Sequence, residues 1–95
     1  MQITKENFNE FITNNEVAVV DFYADWCGPC RMLGQLFQNV TEFPIGKVDC
    51  DQEEELCQQF QIMSIPRVIV FKNGKQVGDF LGFDPNMVEK IKKVI

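Results

Sequence analysis

The longest apolar stretch of the chain predicts a strand at the centre of a sheet. Residues 17–23, Val-Ala-Val-Val-Asp-Phe-Tyr, are continuous, rich in β-branched side chains, and apolar except for Asp21. A run of this kind is typical of a strand that is buried on both faces. We therefore expect Asp21 to lie in the interior, where a carboxylate is out of place and needs a reason.

Four other segments carry apolar residues at the three- and four-residue spacing of a helix. The first spans residues 5–13, and Thr4 is its predicted N-cap. We expect Asp51 to cap the third, and Asp84-Pro85 to open the fourth with a proline in the first turn. The predicted buried stripes, from the first helix to the fourth, are Phe8, Phe11 and Ile12; Met32, Leu33, Leu36, Phe37 and Val40; Leu56 and Phe60; and Val88, Ile91, Val94 and Ile95.

Shorter strand-like segments complete the pattern. Residues 44–50 predict a strand, and residues 67–72 and 76–81 flank Asn73-Gly74, which is the strongest short signal for a hairpin. The expected order is β-α-β-α-β-α-β-β-α, with the early strands largely parallel because helices join them, and the last two antiparallel. Helices between the strands and at both ends imply an α/β fold, a mixed sheet covered on both faces, in a single domain over residues 1–95.

Composition narrows the classes of function. The chain has 95 residues, of which 45% are hydrophobic, so it can build a core without metal or structural disulfides. Its net charge of −5 argues against nucleic acid and anionic membranes as main partners, because both need clustered Lys and Arg. The absence of His excludes a histidine base and a histidine metal site. No apolar run approaches a membrane helix, and the polar first residues lack the features of a secretory signal, so we expect a cytoplasmic protein.

The segment Trp26-Cys27-Gly28-Pro29-Cys30 carries the most specific chemistry. Two cysteines separated by two residues at the start of a helix can close a disulfide with little backbone movement. Unpaired amide groups and the positive end of the helix dipole there stabilise a thiolate at Cys27. Cys30, one turn further in, is expected to be more buried and to attack the sulfur of Cys27 in a mixed disulfide. Cys27 is therefore the predicted nucleophile and Cys30 the predicted resolving cysteine.

From these residues the chain resembles the thioredoxin family. Residues 19–30 are similar to the strand and active-site signature of that family almost letter for letter. Further matches follow in chain order and extend the likeness over essentially the whole chain: Lys47-Val48-Asp49, Ser64-Ile65-Pro66, Phe71-Lys72-Asn73-Gly74 and Gly82.

The resemblance implies the thioredoxin fold and a general protein disulfide reductase, an electron carrier that cycles between dithiol and disulfide at Cys27 and Cys30. It implies no cofactor beyond that redox-active disulfide, and no metal. The implied partners are disulfide-containing client proteins and a thioredoxin reductase, which is a flavoprotein. We expect the chain to act as a monomer.

The resemblance also implies roles for the residues around the cysteines. Asp21 matches a buried acid that moves protons to and from the resolving thiol, and burial would bring its pKa toward neutrality. Lys47 lies where the family has a lysine near that acid, although a lysine in such a position is more often a solvated strand residue. Gly28 and Pro29 would tune the site. Arg67 departs from the family pattern, which commonly has Thr; its guanidinium is expected to lower the thiolate pKa or to select acidic partners. The residues expected to contact substrate are Trp26, Ile65, Pro66 as a cis-proline, Arg67 and Gly82.

Several alternatives stay open at this point. Cys27 and Cys30 could form half of a zinc site with Cys50 and Cys57, although structural zinc sites usually have two closely spaced pairs. Cys50 and Cys57 could instead form a regulatory disulfide, or fill space as small hydrophobic side chains. An oxidase or isomerase is the alternative within redox chemistry. A binding scaffold is the alternative outside it, but nothing marks the site as inactive because both active-site cysteines and Asp21 are present.

Overall fold

The computed structural model describes all 95 residues and contains four helices around one four-stranded sheet. In chain order the elements are α1 Phe8–Asn14, β1 Val17–Tyr23, α2 Gly28–Phe37, β2 Ile45–Asp49, α3 Glu54–Gln59, β3 Arg67–Lys72, β4 Lys75–Leu81 and α4 Met87–Lys92. The predicted order is confirmed from its first helix onward, but its leading strand is wrong. The N-terminal segment makes only an isolated parallel bridge between Gln2 and Lys47.

The sheet has the order β2-β1-β3-β4, with β1 near its centre as predicted. Strand β1 pairs parallel with β2 and antiparallel with β3, and β3 and β4 form the predicted antiparallel hairpin. The expectation of largely parallel early strands therefore holds for β1 and β2, whereas β3 runs antiparallel to both of its neighbours. The segment that contains α3 leaves β2 and enters β3 at the same edge of the sheet, so this short helix does not carry the chain back along the strands.

Hydrophobic side chains fill both sides of the sheet, which confirms helices on both faces. Successive residues of a strand point to opposite faces. Ala18, Val20 and Phe22 of β1 belong to a cluster of 12 buried residues that includes side chains of α1 and α3. Val19, on the opposite face, belongs to a cluster of 8 buried residues that includes Leu33 of α2 and Ile91 of α4.

Of the fourteen residues in the predicted helical stripes, seven are buried, two are exposed, and five are half-buried: Leu36, Val40, Phe60, Val88 and Val94. Met32 is 51% exposed and Ile95 is 37% exposed. The apolar stripe of α2 runs through Leu33 and Phe37, and Met32 lies a rotation of about 100° away from Leu33, at the limit of such a stripe. Met87 is fully buried although the predicted stripe of the last helix did not include it.

The predicted N-caps are wrong, because a turn precedes each of these helices. The N-cap positions of α1, α3 and α4 are held by Asn7, Glu53 and Asn86 rather than Thr4, Asp51 and Asp84, and none of the three makes a side-chain capping hydrogen bond. The carboxylate of Asp84 does accept a hydrogen bond from the amide of Asn86 at 2.8 Å, so it stabilises the turn before the helix. No helix has both the length and the apolar character that crossing a bilayer requires.

Candidate active site

One edge of the sheet gathers the residues that the sequence singles out. Strands β1, β2 and β4 end at this edge and β3 begins there. The loops at the carboxyl ends of neighbouring strands form the usual binding edge of an α/β sheet. The predicted site residues that these loops carry are Trp26, Cys27, Ile65, Pro66 and Gly82.

Cys27 and Cys30 form a disulfide at the start of α2, with their Cα atoms 5.2 Å apart. Cys27 is the N-cap of the helix, and its Sγ accepts a hydrogen bond from the backbone N–H of Cys30 at 3.2 Å. Pro29 lies in the first turn, where its missing N–H costs the helix nothing. Both cysteines are buried. Cys30 is 3% exposed and Cys27 is 6% exposed, so Cys30 is slightly more buried, as expected.

The loop before β3 brings backbone polar groups beside Cys27. The peptide bond between Ile65 and Pro66 is cis, and the carbonyl oxygen of Ile65 lies 3.9 Å from Sγ of Cys27. The backbone N–H of Gly82 donates to the carbonyl of Pro66 at 2.8 Å, which joins this loop to the end of β4. Gly82 has a φ of +79°, a backbone conformation that favours glycine.

Trp26 presents its indole ring to solvent and directly precedes Cys27 in the chain. Its side chain is 70% exposed, while its Nε1–H donates to Oδ2 of Asp51 at 3.0 Å. This hydrogen bond orients the ring, so the exposed surface is both apolar and ordered. Met63 and Leu81, on the same edge, are also strongly exposed. Sequence analysis missed both, although each adjoins a singled-out position in the chain.

Asp21 is fully buried in β1, as its apolar neighbours predicted. It shares a sheet face with Val19, whose hydrophobic cluster includes Leu33 of α2. Neither of its carboxylate oxygens has a hydrogen-bond partner within the protein. Burial raises the pKa of Asp21 from its usual 3.8 to about 7, and the charge of Lys47 opposes part of that rise. A carboxyl group with this pKa can accept or release a proton at neutral pH.

Lys47 lies next to Asp21 on the neighbouring strand. The two residues are partners in the parallel register of β1 and β2. The Nζ atom of Lys47 sits 4.4 Å from the centre of the Tyr23 ring, which is within the range of a cation–π contact. The positive charge is therefore held beside the strand that carries the acid, and its effect on the pKa of Asp21 is downward.

Arg67 has a partner that the sequence analysis did not identify. Its Nε and Nη2 donate to the two carboxylate oxygens of Asp79 at 2.9 and 2.6 Å, and its Nη1 donates to the carbonyl of Gln61 at 3.0 Å. Bidentate pairs of this geometry are among the stronger ion pairs. Asp79 lies diagonally opposite Arg67 in the β3–β4 hairpin. A two-residue turn at Asn73-Gly74 sets this register, so the turn could have been used to predict the ion pair.

The four cysteines divide into two separate pairs. Sγ of Cys50 and Sγ of Cys57 are 2.6 Å apart, while Cys27 and Cys30 are bonded to each other. A zinc site of the kind considered would place all four sulfurs around one ion, an arrangement that differs from these two pairs. The structure contains no group of three or more His, Cys, Asp or Glu side chains placed to hold a metal ion.

The chain is similar to known thioredoxins over nearly its whole length. The family model described as Thioredoxin matches residues 1–95. A thioredoxin from Mycoplasmoides gallisepticum is 41% identical over 85 residues, which cover 85% of each chain. One from Alicyclobacillus acidocaldarius is 38% identical over 90 residues, covering 90% of this chain and 86% of the relative. The solved structure of a thioredoxin variant from Halobacterium salinarum has a TM-score of 0.90 at 27% identity, covering 99% of this chain and 88% of the other.

Proposed function

The chain belongs to the thioredoxin family, and from that premise we propose how its residues divide the work of disulfide exchange. It is a protein disulfide oxidoreductase that cycles between a dithiol and a disulfide at Cys27 and Cys30. The proposed nucleophile is Cys27, the resolving thiol is Cys30, and Asp21 accepts and returns the proton. The observation that carries this assignment is the N–H of Cys30 directed at the sulfur of Cys27.

In the first step the thiolate of Cys27 attacks one sulfur of a client disulfide. A bond forms between Cys27 and that sulfur, the client S–S bond breaks, and the other client sulfur leaves as a thiolate that takes up a proton. The amide of Cys30 and the positive end of α2 stabilise the attacking thiolate. Each unit by which they lower its pKa is worth about 1.4 kcal/mol of preference for the charged form.

In the second step Cys30 resolves the mixed disulfide. Asp21 takes the proton of the Cys30 thiol, and the resulting thiolate attacks Sγ of Cys27. The Cys27–Cys30 bond forms, the bond to the client breaks, and the remaining client sulfur leaves as a thiolate. Two electrons have then passed from the dithiol to the client. A pKa of about 7 for Asp21 supports its part, because the carboxyl then exchanges a proton readily at neutral pH.

The surface around Cys27 is the proposed contact area for clients. Trp26 supplies an exposed aromatic ring, and the backbone of Ile65 lies beside the reactive sulfur. Aromatic side chains are enriched in protein interfaces. Pro66 and Gly82, joined by their backbone hydrogen bond, hold the two loops of this surface together.

Gly28, Pro29, Lys47 and Arg67 are proposed to tune or support the site rather than to react. Gly28 and Pro29 form the first turn of α2 between the cysteines, and Lys47 lowers the pKa of Asp21. Arg67 directly follows Pro66, and its ion pair with Asp79 ties that loop to β4. We therefore favour a supporting role for Arg67 over direct selection of acidic clients.

The proposed partners are disulfide-containing client proteins and a flavoprotein thioredoxin reductase that restores the dithiol. We place this cycle in the cytoplasm, where thiols are kept reduced. That setting suits Cys50 and Cys57, which are both free thiols here. The chain is proposed to work as a single domain over residues 1–95 and as a monomer, without a cofactor other than its own cysteines.

Reduction of insulin disulfides by dithiothreitol tests the function. The parent chain should accelerate the precipitation of reduced insulin, and Cys27→Ser should fall to the rate of dithiothreitol alone. Cys30→Ser keeps the nucleophile and should accumulate a mixed disulfide with insulin, visible by mass spectrometry without reduction. A parent chain that does not accelerate the reaction would support the binding scaffold and contradict the carrier.

A further inference from the structure

Cys50 and Cys57 form a second close pair of sulfur atoms that the exchange reaction does not use. Their Sγ atoms are 2.6 Å apart, only about 0.5 Å more than the ~2.05 Å of a disulfide bond. The backbone around each is anchored, since the N–H of Cys50 donates to Tyr23 of β1 at 2.9 Å and the N–H of Cys57 donates to Glu53 at 3.0 Å. The secondary structure thus holds the two sulfurs together, and a small side-chain adjustment would bring them within bonding distance.

We propose that Cys50 and Cys57 are a second redox pair, which a hydroperoxide oxidises to a disulfide. With hydrogen peroxide, one thiolate of the pair attacks an oxygen of the peroxide, the O–O bond breaks, and a sulfenic acid and hydroxide form. The neighbouring thiol then attacks that sulfur, the S–S bond forms, and the oxygen leaves as water. Overall, two thiols lose two electrons and two protons while hydrogen peroxide becomes two molecules of water. This proposal does not depend on the roles assigned to Asp21 or Cys30.

The surroundings of this pair make it slower to oxidise than the active site. Cys57 is buried in the core cluster on the α1 and α3 face, and Cys50 packs against that cluster. Burial raises the pKa of both thiols, and nearby carboxylates raise it further: Asp49 acts on both, Asp51 on Cys50 and Glu53 on Cys57. Thiolate is the reactive form, so this pair should respond only after Cys27 and Cys30 are already oxidised. It would therefore report heavy oxidant exposure rather than ordinary turnover.

Asp51 connects Cys50 to Trp26, which belongs to the proposed contact area for clients. Asp51 directly follows Cys50, and its carboxylate accepts the hydrogen bond from the indole of Trp26. Closing the sulfur gap turns the side chain of Cys50 toward α3, next to the backbone that carries Asp51. We expect this to alter the setting of Trp26, the only tryptophan in the chain.

The test uses the full chain with Cys27→Ser and Cys30→Ser together, so that only the second pair can react. The reduced protein is titrated with hydrogen peroxide, unfolded, treated with an alkylating agent, and weighed by mass spectrometry. We expect both thiols to disappear together, a loss of two hydrogen masses, and a non-reduced peptide that contains Cys50 joined to Cys57. Tryptophan fluorescence should change in parallel and return on reduction.

Adding Cys50→Ser or Cys57→Ala to that variant provides the matched controls. Each leaves a single thiol, which should gain oxygen or form intermolecular disulfides and should not show the reversible fluorescence change. Thiols in the starting variant that remain fully alkylatable at peroxide concentrations about 100-fold above those that oxidise the parent active site would overturn the proposal. So would separate oxidation of the two sulfurs to sulfinic acids. Disulfide formation with unchanged fluorescence would overturn the link to Trp26.

Discussion

The two cysteine pairs place the same functional group in two different settings. Sγ of Cys27, at the N-terminus of α2, accepts an amide hydrogen bond and lies beside an exposed indole. Cys50 and Cys57 lie where a strand end meets a short helix, packed on the core and flanked by acidic side chains. Short sulfur–sulfur distances occur in both pairs. Proximity alone therefore allows a disulfide, while the surrounding charge and hydrogen bonding decide which sulfur attacks a client.

The first prediction, with the largest effect, separates the pairs by activity. Cys27→Ser should reduce insulin turnover to the level of the chemical reductant alone, since a hydroxyl cannot replace the thiolate nucleophile. The double variant Cys50→Ser and Cys57→Ala should keep turnover within about twofold of the parent, because neither sulfur takes part in the exchange. The insulin precipitation assay measures both. A loss of turnover in the second variant comparable to the first would show that the two pairs work as one system.

Local sequence was enough to place the reactive pair. The Cys27-to-Cys30 segment, the apolar strand around Asp21 and the Asn73-Gly74 turn each fix their geometry within a few residues. The turn shows this directly, because Asn73 and Gly74 have φ values of +53° and +80°, as a two-residue hairpin of type I′ requires.

Contacts between distant elements were beyond the reach of the sequence patterns. The 2.6 Å separation of Cys50 and Cys57 depends on how the chain turns between β2 and α3, which the spacing of the two residues does not set. The ion pair of Arg67 depends in the same way on hairpin register. The caps predicted at Thr4 and Asp51 failed because a local preference competes with a preceding turn that the final packing selects.

The second prediction concerns Asp21, a fully buried carboxyl group on the sheet face that packs against α2. No buried charged residue lies beside Cys50 and Cys57. Its pKa rises from 3.8 in the unfolded chain to about 7 in the folded protein. Because each pKa unit corresponds to about 1.4 kcal/mol, ionisation of Asp21 destabilises the folded state by about 4 kcal/mol. Below about pH 4 the carboxyl is protonated in both states, and this cost is absent. As the pH rises from about 4 to 7, only the unfolded chain ionises and the folded state loses stability.

Asp21→Asn should therefore gain stability relative to the parent as the pH rises, approaching about 4 kcal/mol above pH 7. Urea unfolding of both proteins at pH 4 and pH 8 measures the change in this difference. Burying the amide of the variant has a cost that does not depend on pH, so the comparison of the two pH values cancels it. A difference that stays constant between these pH values would contradict the raised pKa.

The third prediction compares the reactivity of the thiols in the reduced parent chain. At pH 7 an alkylating agent should modify Cys27 at least ~10²-fold faster than Cys50 or Cys57, because the rate follows the thiolate fraction. Burial and nearby acids raise the pKa of both thiols in the second pair. Timed alkylation followed by peptide mapping gives the separate rates. Equal rates at the three sulfurs would mean that the helix N-terminus does not distinguish Cys27.

The fourth prediction has the smallest expected effect. It concerns the hydrogen bond between Trp26, which precedes Cys27, and Asp51, which follows Cys50. Asp51→Ala removes the acceptor that orients Trp26, and a hydrogen bond of this kind contributes about 1 kcal/mol. We expect KM for a client protein to rise about two- to fivefold with kcat unchanged, because the ring contacts the client and not the reacting sulfurs. Asp51→Asn keeps an oxygen acceptor and should restore most of the affinity. A fall in kcat that Asp51→Asn does not rescue would instead mean that the carboxylate acts on the thiol chemistry itself.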